Sequence, residues 1–133
     1  MTSTVPALAS AVALAAALIA WPANARAGAY EDCVTAGSSG AVMQCLATAE
    51  KQANAELAAA ESALAEKALA VERATGRSGI HAALARAVKD FATYRASHCA
   101  YVRALAVHEP VAEQAAAACR VDLTRRRVRD LRS

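Results

Sequence analysis

The side chains able to do chemistry are few, and their spacing limits what they can do. Four cysteines stand at Cys33, Cys45, Cys99 and Cys119, and three histidines at His81, His98 and His108. No two cysteines form a C-x-x-C pair, so neither a dithiol redox motif nor a zinc knuckle is signalled. The histidines fit no H-E-x-x-H, no serine sits in G-x-S-x-G, and no glycine-rich phosphate loop occurs. His98 falls on an apolar helical stripe and reads as a hydrogen-bonded core residue. Glu50, Glu61 and Glu72 recur every eleven residues, which places them on one side of a helix. Successive members lie roughly 16 Å apart at 1.5 Å per residue, too far to flank one glycosidic bond as a catalytic carboxylate pair. A solvated face is the plain reading of that stripe. Arg95 flanks a core stripe. Its guanidinium is expected to clamp neighbouring helices, with a partner's carboxylate as the functional alternative. No catalytic residue, metal or cofactor is expected, so the predicted function is binding without turnover.

The cysteines take their meaning from the N-terminus. Residues 7–21 (ALASAVALAAALIAW) form an uncharged apolar run, short of the roughly 20 residues a bilayer span needs. Pro22 follows, then two overlapping small-x-small sites, Ala23-Asn24-Ala25 and Ala25-Arg26-Ala27. This is the pattern of a signal peptide, residues 1–27, although no Lys or Arg precedes the run. The mature chain is expected to start at Arg26 or Gly28 and to reside in the periplasm or outside the cell. An uncleaved N-terminal anchor is the alternative. Cys33 follows Tyr30-Glu31-Asp32 rather than a lipobox. An even cysteine count in an oxidising compartment predicts bridges and no spare thiol.

The elements that hold these residues are helical. The chain has 133 residues, enough for a single domain. Alanine dominates it, and alanine is the best helix former because its side chain loses no entropy. An alanine core buries little area per residue, so covalent staples matter. Residues 28–133 are predicted to form an all-α domain, a small antiparallel three-helix bundle with helices near 41–74, 79–107 and 110–131. Residues 30–40 are expected to be irregular. The first helix carries Leu57, Leu64 and Val71 at a seven-residue period, with Leu46, Ala53 and Ala60 between. The second carries Ile80, Leu84, Ala87, Phe91, Tyr94, His98, Tyr101 and Leu105, spacing suited to coiled-coil-like packing. Gly76 suits a left-handed C-cap and Ser78 an N-cap; Pro110 suits a first turn. Cys99 and Cys119 each lie ten residues from Glu109, so they come level across an antiparallel hairpin. Four cysteines allow three pairings; this geometry favours Cys99–Cys119, leaving Cys33–Cys45.

Net charge is +3, and Arg120, Arg125, Arg126, Arg127, Arg129 and Arg132 crowd the last helix. Arginines there complement the helix dipole in a solvated turn. They also form a surface suited to an anionic partner. No aromatic residue is interleaved for base stacking, so nucleic acid is not expected.

Two motifs then combine: Phe91-x-x-Tyr94-Arg95-x-x-x-Cys99, and Cys119-x-x-x-Leu123-Thr124-x-x-Arg127-x-x-x-Leu131. Together with Tyr30-x-x-Cys33, Met43-Gln44-Cys45, Glu50 and Leu57, they resemble the N-terminal domain of the LprI-type lysozyme inhibitors. The likeness spans nearly all of the chain after the export signal. It departs at Phe91, where the family usually has Trp, at Val88, where it has Gln, and at Ala58 and Glu61, where Asn and Tyr are usual. The resemblance implies a periplasmic inhibitor that occludes a lysozyme cleft, with Phe91, Tyr94, Arg95, Thr124 and Arg127 as a clamp or binding motif. A cationic lysozyme would be met by an acidic face, which points to Glu50, Glu61 and Glu72. The alternative is a helical adaptor of the cell envelope whose basic end binds an anionic partner. Arg95 and Thr124 are predicted to face each other near the Cys99–Cys119 bridge.

Overall fold

The alanine-rich sequence is helical except for short breaks at 35–38, 76–79 and 106–110, each of which contains a glycine or a proline. The structure, a computed structural model, describes residues 28–133. The expected export segment, residues 1–27, lies outside the described residues. Four helices follow in order: α1 (Ala29–Val34), α2 (Ser39–Thr75), α3 (Ile80–Leu105) and α4 (Val111–Arg132). The described residues contain no strand.

The segment expected to be irregular holds the short helix α1. Six residues make a poor helix alone, and its support is tertiary. The Ala29 N–H donates to Asp122 Oδ1 of α4 at 2.9 Å, which caps the helix from another element. Ala29 and Cys33 are buried, and Cys33 is bridged to Cys45 in α2. None of these partners is local, so turn residues dominate the local pattern there.

Of the two caps predicted, Gly76 is formed and Ser78 is not, and Ser38, read as part of a turn, caps α2. Ser38 Oγ accepts from the Ala41 N–H, and Gly76 closes α2 in the left-handed conformation (φ 68°). At the start of α3, however, Gly79 (φ 90°) occupies the cap position expected for Ser78. Glu72 Oε1 accepts from the His81 N–H at 3.0 Å instead. A carboxylate one helix away thus satisfies one of the free donors of α3.

Cross-links set the topology. Glu72 meets His81 and Asn54 meets Arg95, so α2 and α3 are antiparallel. Cys99 is bonded to Cys119 and Arg103 pairs with Glu113, so α4 returns antiparallel to α3. The tightest core lies at the end where α1 packs, with Ala29, Cys33, Val42, Leu46, Ala117, Ala118 and Val121 all buried. In α2, Leu46, Ala53, Leu57 and Ala60 are buried, as the seven-residue pattern predicts.

The stripe assigned to α3 needs correction. Tyr94, Tyr101 and Leu105 face outward, with 51%, 59% and 62% of their surface exposed. The packed side runs instead through Ile80, Leu84, Val88, Phe91, Arg95, Cys99 and Val102. Hydropathy alone favoured tyrosines over an arginine for the interior. His98 is half-buried and stacked on Tyr94 at 5.4 Å rather than hydrogen-bonded in the core.

Candidate functional site

Arg95 sits on α3 where three helices meet. Its Nη1 donates to Thr124 Oγ1 of α4 at 2.7 Å and to Asn54 Oδ1 of α2 at 2.8 Å. Thr124 is fully buried, and its hydroxyl donates to the Arg120 carbonyl at 2.7 Å. The hydroxyl therefore accepts once and donates once, and its burial leaves no polar group unsatisfied. The predicted Arg95–Thr124 contact is present, one turn of α3 from the Cys99–Cys119 bridge.

Phe91 lies one turn further along α3. The guanidiniums of Arg95 and Arg127 stand 5.8 and 5.4 Å from its ring centre, a cation–π arrangement joining α3 to α4. The Arg127 Nε is buried without a hydrogen-bond partner. The structure thus gathers Phe91, Arg95, Thr124 and Arg127 at the α3–α4 seam. Tyr94 is not with them; it stacks on His98 at the surface.

The three glutamates do not form a solvated stripe. Glu50 accepts from Arg120 Nε of α4 at 2.8 Å, and Glu72 is spent on the start of α3. Glu61 is half-buried and makes no hydrogen bond among the described residues. Glu50 and Glu72 are drawn into the bundle because α2 is flanked by two helices, so more of its circumference is in contact than an isolated amphipathic helix would present.

Asn54, Gln114 and Asp122 are contributors that sequence reasoning missed. Gln114 is buried on α4 and donates to Ser39 Oγ at 2.9 Å. Each is a lone polar residue whose partner is at least 41 positions away. The one available signal was the placement of Asn54 beside the Ala53–Leu57 stripe. Both predicted disulfides are formed, with Cα–Cα distances of 5.7 Å for Cys33–Cys45 and 5.6 Å for Cys99–Cys119. No group of His, Cys, Asp and Glu that could hold a metal ion occurs among the described residues. No helix among them is long and apolar enough to cross a membrane.

The arrangement is a covalently braced helical bundle in which Arg95 links an exposed Asn54 to a buried Thr124. The model of the family described as Lysozyme inhibitor LprI matches residues 31–131. The chain belongs to this family. No curated protein and no solved structure matches it. Both disulfides and every residue of the Arg95 clamp fall inside the LprI match.

Proposed function

We propose that the domain acts as an exported lysozyme inhibitor, binding the enzyme and covering its cleft without turnover of its own. Membership of the LprI family over residues 31–131 carries this reading. The build of the domain supports it. Two disulfides and the Arg95–Thr124–Asn54 knot hold the surface in one arrangement, and a preorganised surface loses less entropy on binding. On this reading residues 1–27 are a signal peptide, residues 28–133 are the LprI domain, and the protein works in the periplasm or outside the cell.

Among the acidic residues nominated as partner contacts, Glu50 and Glu72 already have intramolecular partners. Glu61 is the one with no hydrogen bond among the described residues, so it stands foremost. The decisive experiment is a turbidity assay with lysozyme and a bacterial cell-wall suspension. Inhibition at micromolar domain supports the proposal; none at low salt removes it. The adaptor reading retains one specific support: Arg126, Arg129 and Arg132 are exposed and make no salt bridge among the described residues. Retention on anionic vesicles, in a chain that fails to inhibit lysozyme, would establish that reading instead.

A further inference from the structure

The arginines of α4 gather beside the point where residues 1–27 join the domain. Arg125, Arg126, Arg129 and Arg132 line one surface cleft together with Gly28. Arg125 pairs with Asp32. Arg126, Arg129 and Arg132 are exposed and make no salt bridge among the described residues. The other two carboxylates at the cleft, Glu56 and Asp122, are half-buried and already accept from Gln52 and from the Ala29 N–H. An approaching surface therefore meets guanidinium first. Residues 1–27 bring no countercharge, because every Asp and Glu of the chain lies between Glu31 and Asp130.

We propose that this arginine face docks on an anionic bilayer, with its guanidiniums on the phosphates of the lipid headgroups. The first argument is position. The apolar run at residues 7–21 is joined to Gly28 by residues 22–27, a reach of about 20 Å when fully extended. While that run occupies the bilayer during export, the cleft beside Gly28 is held within reach of the headgroups. In the sequence the run and the arginines stand at opposite ends; the fold joins them, through the Ala29 N–H on Asp122 of α4. The second argument is chemistry. Clusters of about four to eight basic residues beside an apolar membrane segment bind anionic lipid, and Arg26 with the cleft arginines makes such a cluster. Each guanidinium can hold a phosphate through two parallel hydrogen bonds. Helix α4 carries no aromatic residue on which a base could stack. The proposal names a partner for the basic end of the molecule. It rests on that end and not on inhibition, so a domain that inhibits lysozyme docks equally.

The test is co-sedimentation of the exported chain with lipid vesicles, run beside the lysozyme turbidity assay. One set of vesicles is pure phosphatidylcholine; the other carries about 30% phosphatidylglycerol. Retention is expected on the anionic set alone, and is expected to fall as salt rises from about 50 to about 500 mM. Arg126→Glu with Arg129→Glu is expected to weaken partition at least about tenfold, since each basic residue near a charged surface contributes about fivefold. Arg86→Glu with Lys89→Glu makes the same change of net charge on α3, away from the cleft. It is expected to weaken partition by less than about threefold, because screened charges act locally. Circular dichroism confirms the fold of both variants. The proposal is overturned if the chain binds both vesicle sets alike or neither, or if the two charge reversals weaken partition equally. It is equally overturned if soluble polyglutamate strips the chain from the anionic vesicles, because the face then belongs to an acidic protein. Selective vesicle binding supports the proposal whichever way the turbidity assay falls.

Discussion

Arg95 is the residue on which three helices depend, and its replacement tests the clamp. Arg95→Ala removes the donor to the fully buried Thr124 hydroxyl and to Asn54. Leaving a buried acceptor unpaired costs about 1–3 kcal/mol, so thermal denaturation is expected to show a lower melting temperature. Arg95→Lys is expected to recover only part of the loss. An ammonium can donate to both acceptors, as the single Nη1 does, but it lacks the planar guanidinium that lies beside Phe91. A variant with unchanged melting temperature and lost lysozyme inhibition would show that Arg95 serves recognition. At the same scale, Glu61→Lys is expected to slow association with a cationic lysozyme and flatten its salt dependence. Surface plasmon resonance across a salt series checks this. Glu50 is a poorer probe, because its reversal also breaks the ion pair with Arg120.

The helices differ in what stabilises them. The loops closed by Cys33–Cys45 and Cys99–Cys119 have sequence separations of 12 and 20. A bridge over a loop of this size contributes about 3 kcal/mol in the chain-entropy model. Their removal should nevertheless have different consequences. Replacing Cys33 and Cys45 by serine is expected to release α1 while α2, α3 and α4 stay assembled, because six residues cannot remain helical alone. Hydrogen exchange should then show protection lost over residues 29–34 and retained over 112–124. Replacing Cys99 and Cys119 is expected to lower the melting temperature of the whole domain, since that bridge joins two of its three long helices.

Across the whole molecule, stability is expected to be graded along the bundle. The core is densest where α1, α2 and α4 meet around Leu46 and Val121, both fully buried. Toward the α2–α3 turn the apolar residues Leu64, Val71, Ile80 and Leu84 are only half-buried. Elements with fewer buried contacts open at lower free energy. Native-state exchange is therefore expected to be faster over residues 68–85 than over 42–57.

Much of this was legible in the sequence because it depends on short-range physics. Alanine runs, Gly76 and Pro110 specify three long helices by propensity and capping, within a few positions of where they lie. Antiparallel helices of known rise bring Cys99 level with Cys119 and Arg95 level with Thr124, so these contacts followed from counting residues from the hinge. The short α1, the capping of α3 by Glu72, the outward tyrosines and the engaged glutamates were decided only by tertiary structure. Each depends on which side of a helix meets a neighbour. An alanine-rich helix carries a weak apolar contrast, so its sequence barely distinguishes one side from another. Asp122 capping α1 from 93 residues away illustrates the limit: no local pattern encodes a donor and acceptor that folding alone brings together.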